Sequence, residues 1–388
     1  PPPSPLPSPT PMTDDAFQTG PVDKIASSTA HCDIESPITL SPYVVAQHGY
    51  VVVVRALDEK DQYDEVECSD GAFRHIREGD VLVGTLGGRQ ALKGYSGRVP
   101  RHIAPGDTLH VLNLGGLIGE CTAAHPNLGP ALPVEVLGAV MVKRNDQWTH
   151  ARIQEDALEM RHRLATSVPL VTVSGTAMET GKTEAACRIV EGLSARGLRV
   201  GAAKLTGASL MRDVRRMQAH GATAVSTFTD AGIACTVEDA ITPIAKGVIH
   251  HLNETEDLDV IVAEMGDGFV GYYGVDDLLT DMELQSFIEA HVVAATDLAG
   301  AWAAERTFRE RYHADITALT GPVTDNDVGR RYITQRLGVT ALNALRQGTA
   351  LVDEVVDALP ASAFPEEIEA TAPAAPPSSD EKLAVAAE

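Results

Sequence analysis

Along this chain the apolar residues fall into two different rhythms. Between Tyr43 and about Val142 they come as short runs rich in branched residues and broken by glycine. Examples are Tyr50-Val51-Val52-Val53-Val54-Arg55-Ala56, Asp80-Val81-Leu82-Val83-Gly84 and Thr108-Leu109-His110-Val111-Leu112. Runs of this length and composition, bounded by turn formers, predict strands. One stretch also recurs: Ile76-Arg77-Glu78-Gly79-Asp80-Val81-Leu82 returns as Ile103-Ala104-Pro105-Gly106-Asp107-Thr108-Leu109. Both copies soon reach Leu-Gly-Gly, at Leu86-Gly87-Gly88 and Leu114-Gly115-Gly116. This weak duplication predicts a small all-β barrel or sandwich over 41–145, made of two similar units, each with a Gly-Asp turn feeding a strand.

The second rhythm is longer. Residues 146–166 are polar with apolar positions at helical spacing (Ile153, Ala157, Leu158, Met160, Leu164), which predicts a helical connector. From 167 to 358 strand-like and helix-like stretches alternate. Val168-Pro169-Leu170-Val171-Thr172-Val173 has the continuous apolar character of a strand buried on both faces. Stretches 198–204, 257–264, 290–297 and 314–320 predict further strands, and Ala301 to Tyr312 and Val328 to Leu337 predict helices between them. Such alternation builds an α/β fold, a parallel sheet with helices on both faces, whose ligands sit at the carboxyl ends of the strands. Two tails flank these units. Residues 1–40 open on a proline-rich run, and 359–388 turn to Ala, Pro, Ser and Glu; both are expected to be disordered.

Composition narrows the function. The formal net charge of −23 argues against nucleic acid as a partner. No run is long and apolar enough to span a membrane as a helix. The five cysteines, Cys32, Cys68, Cys121, Cys187 and Cys235, show no paired or Cys-x-x-Cys spacing and read as free thiols of a reducing cytoplasm. The N-terminal run lacks the basic start and apolar centre of a signal peptide, and Met12 is a candidate start.

Chemistry concentrates in Ser174-Gly175-Thr176-Ala177-Met178-Glu179-Thr180-Gly181-Lys182-Thr183. A strand precedes it and a helical stretch from Glu184 to Leu193 follows. Strand, glycine loop, Gly-Lys-Thr and helix is the layout of a phosphate-binding loop: backbone N–H groups and the helix N-terminus face the anion, Lys182 supplies a point charge, and the Thr183 hydroxyl can hold Mg²⁺. Five residues separate Gly175 from Gly181, against the usual four. This longer loop resembles that of dethiobiotin synthase and its relatives, the cobyrinic acid diamide synthases among them, where Gly-Thr-x-x-Glu-x-Gly-Lys-Thr recurs. Gly175, Thr176, Glu179, Gly181, Lys182 and Thr183 fit it, and the resemblance runs from roughly Val168 to Leu345.

The resemblance implies an ATP- and Mg²⁺-dependent enzyme that activates a small carboxylate or carbamate for attack by an amine. It assigns nucleotide binding to Gly175 through Thr183, Thr180 included. It also implies that Lys204, at the end of the second strand, stabilises negative charge on the substrate. Glu264, ending the third strand ahead of Met265-Gly266-Asp267-Gly268, becomes the metal-associated acid, with Thr183 and Asp213 as further metal ligands. Asp267 is better read as a turn aspartate bonding its own backbone. Asp297 either binds metal or substrate or caps the following helix. Asn326, in the loop after the last strand, is the candidate for reading adenine. The lack of Asn-Lys-x-Asp favours ATP over GTP.

Two departures set this chain apart from dethiobiotin synthases: Ala177 stands where they carry Asp, and Leu205 where they carry Pro. Related sites lie at dimer interfaces, which implies a homo-oligomer. In the β unit, Arg89, Arg98 and Arg101 cluster near the turn between the repeats and either face an anionic ligand or, the stronger reading, are solvated. Cys121 and His125 form a possible metal or nucleophile pair, but nothing around them completes a triad. The runner-up function is an N-acyltransferase similar to the D-glutamate acetyltransferase group, with the loop on the diphosphate of coenzyme A. A third is a non-enzymatic nucleotide-dependent scaffold or metallochaperone.

Overall fold

A computed structural model describes residues 17–237 and 241–364. The proline-rich first sixteen residues and the tail beyond 364, both assigned to disorder by the sequence, lie outside the described residues.

The first unit begins with β1 (Gln18–Gly20), β2 (Lys24–Ile25), β3 (Ile38–Ser41), β4 (Val51–Ala56), β5 (Glu65–Glu67) and β6 (Phe73–His75). It continues with β7 (Val81–Leu86), β8 (Arg89–Gln90), β9 (Tyr95–Arg98), β10 (Thr108–Val111), β11 (Leu117–Ala124), β12 (Pro133–Arg144) and β13 (Gln147–His150). Of the two expected architectures it is the barrel. β12 pairs antiparallel with β4, β4 with β7, β7 runs parallel to β11, β11 pairs with β10, and β10 returns to β12. The ring is closed. Val52, Val54, Leu82, Leu109, Ile118, Val134 and Val136 fill its interior. Val51, Val53, Val83 and Leu117 face outward and are buried as well, together with Ala234, Cys235 and Tyr273 of the second unit. Burial on both faces is why Val51 to Val54 form an unbroken apolar run rather than an alternation.

The duplicated turns are duplicated in geometry. Gly79 and Gly106 adopt φ of +87° and +90°, a conformation that glycine takes without strain. The Asp80 and Asp107 carboxylates accept the N–H groups of Arg77 and Ala104 at 2.7 and 2.8 Å. The β7 and β10 strands leave these turns.

Three boundaries differ from the sequence expectation. Residues 17–40 are not a tail: β1 pairs with β3, β3 with β12 and β2 with β7, and Ala26, Cys32 and Ile38 are buried. The helical connector is absent. β13 pairs with β12, and Ala151 and Ile153 are buried two residues apart, the spacing of an extended chain, so the barrel wall overrides the helical pattern of 146–166. At the other end, Leu359 and Ala363 are buried against the core, so 359–364 are not a disordered tail.

The second unit has β14 (Leu170–Gly175), β15 (Val200–Thr206), β16 (Ala224–Thr227), β17 (Val260–Met265), β18 (Ile288–Ala294) and β19 (Ala318–Thr320). They form one parallel sheet in the order β16-β15-β17-β14-β18-β19. Its helices are α1 (Lys182–Ser194), α2 (Arg212–Ala219), α3 (Ile241–Thr255), α4 (Val275–Thr280), α5 (Met282–Gln285), α6 (Leu298–Thr307), α7 (Asp327–Tyr332) and α8 (Gly348–Ala358). Two cores result. On one face Ile189 and Val190 of α1, Met217 of α2 and Leu351 of α8 pack on Val171, Val200 and Val262. On the other, Ile244 and Val248 of α3, Leu278 of α4 and Ala301 of α6 pack on Leu205, Ile261 and Val293. The α/β class with helices on both faces, preceded by a β unit, is the observed architecture.

Candidate active site

β14 hands over to α1 through the glycine loop, and three backbone features fix the path. Gly175 is crowded: a Cβ there would lie 2.7 Å from Thr180 Oγ1 and 2.9 Å from the Ala294 carbonyl oxygen. Glu179 and Gly181 take φ of +59° and +86°. Gly181 then caps α1, whose first-turn N–H groups have no partner within the helix and point into the loop.

Lys182, the first residue of α1, is buried and donates from Nζ to the Ala177 carbonyl at 2.7 Å, so it lies across the loop. Burial pulls its pKa down to about 8, against the opposing pull of the Glu264 and Asp267 carboxylates. Thr183 donates its hydroxyl to Glu264 Oε1 at 2.8 Å. The other oxygen, Glu264 Oε2, is buried with no hydrogen-bond partner. Two hard oxygen donors side by side, one of them unsatisfied, fit a small divalent cation such as Mg²⁺.

Glu264 is in register with Lys204 across β17 and β15. Lys204 is buried, and its ammonium meets the Asp213 carboxylate at the start of α2, which Arg212 also approaches at 3.3 Å. Asp213 is thus brought to the site with its charge already engaged by two cations. Among the described residues no group of three or more His, Cys, Asp or Glu could hold a metal ion.

These groups open on a cleft of about 500 Å³ between the sheet and the barrel. Asp267 lines it too, at φ +68°, its Oδ1 accepting its own neighbour's N–H at 2.8 Å, which is the turn role expected of it. Burial raises its pKa. Thr180 is fully buried and bonds the Ala177 carbonyl at 3.1 Å, bracing the loop from within. Thr176 packs between Gly268 and Gly300. Glu179 points outward to Lys93 of the barrel at 3.2 Å.

Other candidates fall elsewhere. Asn326 is exposed, outside the cleft, and caps α7 by accepting the Val328 N–H at 2.9 Å. Asp297 caps α6 through the Gly300 N–H at 2.8 Å. His125 accepts the Asn127 N–H at 3.3 Å in its own turn, and the Cys121 thiol donates to the Ala123 carbonyl within β11.

The barrel wall of the cleft was not legible in the sequence. Tyr63, Arg89 and Asn113 reach it from the first unit, and Tyr273 from the second. Arg89 corrects the expectation of a solvated turn: it is buried, and its guanidinium donates to the Leu112 carbonyl and lies 6.0 Å from the Tyr63 ring. Arg98 and Arg101 are exposed as expected, Arg98 pairing with Glu120 at 2.8 Å.

A parallel sheet, a glycine loop joining β14 to α1, and an acidic strand end facing the loop's hydroxyl give the layout of a P-loop NTPase fold. No protein-family model matches the chain, and no curated protein does. Among solved structures it is similar to the signal recognition particle receptor FtsY from Elizabethkingia anophelis (14% identity over 54% of this chain and 75% of that one, TM-score 0.31). It is also similar to the hydrogenase maturation factor HypB from Archaeoglobus fulgidus (15%, 49% and 89%, TM-score 0.32) and a ParA family ATPase from Chlorobium tepidum TLS (13%, 51% and 94%, TM-score 0.30). Likenesses this distant say nothing about substrate or partner. No helix among the described residues is long and apolar enough to cross a membrane.

Proposed function

We propose that the chain is an ATP-dependent enzyme that activates a small carboxylate or carbamate for attack by an amine, the chemistry implied by the resemblance of its loop to dethiobiotin synthase. The supporting observation is the shared cleft: the cradle from Gly175 to Thr183, Glu264 with an unpartnered oxygen, and the buried Lys204 open on one enclosure. In this reading a carboxylate oxygen attacks the γ-phosphorus and ADP leaves. The amine then attacks the carbonyl carbon of the acyl phosphate, inorganic phosphate departs, and the amine gives up a proton. The chain positions the reactants and offsets developing charge, which phosphoryl transfer chiefly demands.

Lys182 would meet the β- and γ-phosphate oxygens, and Lys204 the acceptor, with Asp213 as its counter-ion. Thr183 and Glu264 would hold Mg²⁺, which supplies charge neutralisation on the phosphates when bound. We place the chain in a reducing cytoplasm, from the scattered spacing of its five cysteines.

The test is phosphate release from ATP with and without the common amino acids and dicarboxylates. ADP should appear, and at least one acceptor should raise its rate. Acetyl-CoA consumption with no ADP would overturn the ligase reading in favour of acyl transfer. Lys182→Ala should abolish nucleotide binding in a calorimetric titration; retained affinity would overturn the loop assignment itself.

A further inference from the structure

Buried cations need a compensating anion, and this protein supplies one to only half of its own. Among the described residues four Lys or Arg side chains are buried: Arg89, Lys182, Lys204 and Lys246. Lys204 has Asp213, and Lys246 has Asp281 and Glu283 at 2.9 and 2.7 Å. Lys182 and Arg89 have no carboxylate within ion-pair distance, and both line the same cleft. For Lys182 the missing partner is the phosphate tail that the loop around it is shaped to cradle.

Arg89 presents the same deficit from the opposite wall. It is 5% exposed, and its Nε is buried without a hydrogen-bond partner. The Leu112 carbonyl, the Tyr63 ring and the Tyr63 and Tyr273 hydroxyls around it are neutral and meet only part of its charge. The Asp267 carboxylate, on the same cleft, feels the Arg89 charge but lies beyond ion-pair distance of it. A guanidinium cannot shed its proton as a buried lysine can, so its desolvation has to be met by a ligand or left as a cost to the fold. Its planar fork matches a carboxylate in two-point contact.

We propose that the barrel end of the cleft is a binding subsite for a carboxylate-bearing substrate, with Arg89 as the partner of that carboxylate. The assignment deepens the proposed function, on which it rests for the nucleotide at the other end. A single cation is matched to a singly charged carboxylate, and the barrel's part in the enzyme is to bring that cation over the loop. The substrate would then bridge the two units, its anionic end on the barrel and its reacting end toward Lys204.

Thermal unfolding of the full chain tests this, with the loop saturated by Mg²⁺ and ADP and with acetate, succinate or inorganic phosphate added against chloride at matched ionic strength. Acetate and succinate should raise the wild-type midpoint, and Arg89→Leu should erase the shift while still binding ADP. If Arg89→Leu does not fold, Arg89→Lys keeps the charge without the fork and should raise the half-saturating carboxylate concentration by about tenfold. Equal shifts in wild type and variant, or no shift in wild type, would overturn the subsite; a response to phosphate alone would overturn its assignment to carboxylates. Should the wild type fail to bind ADP, the same titration is run on Lys182→Ala without nucleotide. There a shift that persists supports the subsite apart from the nucleotide reading, and its loss counts against it.

Discussion

Lys182 carries a measurable signature of its position. With its pKa held at about 8 by burial, the folded chain releases this proton as pH rises through 8, while the unfolded chain keeps it until the ordinary lysine range. The unfolded state therefore binds more protons in that window, and nucleotide-free protein gains stability there as pH rises. A phosphate tail favours the ammonium and reverses the sign for binding. ADP affinity should be steady below pH 8 and weaken by up to about tenfold per pH unit above it. Calorimetry in buffers of different ionisation enthalpy should show proton uptake on binding near pH 8; an affinity flat from pH 7 to 10 would contradict the burial. Lys182, Thr183 and Glu264 were legible in the sequence because local order fixes them, two in the first turn of α1 directly after the loop and one at a strand tip. Arg89 was not, because nothing in Gly88-Arg89-Gln90 distinguishes a solvated turn from one pressed under a neighbouring unit.

The strand-loop-helix element allows little substitution. Gly175→Ala would place a methyl 2.7 Å from Thr180 Oγ1 and 2.9 Å from a backbone carbonyl on β18. The carbonyl cannot yield without moving the sheet, so the expected cost is about 1–3 kcal/mol, read as a lower urea midpoint together with weaker ADP binding. An unchanged midpoint would mean that the loop's path is softer than its contacts imply. At this scale the sequence served well where an element is buried on both faces: β4, β14, β15 and β17 all announce themselves as apolar runs. It failed where packing chose between patterns. Residues 151–153 bury alternate positions against the barrel although 146–166 has helical spacing, and the short strand β16 and the polar helix α2 carry too few apolar residues to stand out.

For the whole molecule, the two units are joined through buried polar contacts as well as through the shared apolar cluster. Asn113 donates to the Ser209 carbonyl at 2.7 Å and accepts the Leu117 N–H at 2.9 Å. Glu67 accepts from Ser27 Oγ at 2.6 Å and from the Met211 N–H at 2.7 Å. Asn113→Ala would orphan a buried donor and a buried acceptor, about 1–3 kcal/mol each. Unfolding followed by both tryptophan fluorescence and far-UV dichroism should give one coincident transition in wild type and a lowered one in the variant; two separate wild-type transitions would contradict the coupling. The contacts between the two units were not foreseeable, since they join residues far apart in the chain.

The ring of strands has a further outcome for how the chain is made. β12 is the partner of both β3 and β4, and β10 closes on it as well. A polypeptide emerging from the ribosome N-terminus first must hold Val51–Ala56 with a bare hydrogen-bonding edge until synthesis has passed Arg144. For that interval this four-valine run is open to any passing strand, and this is a moment at which a chaperone has much to protect.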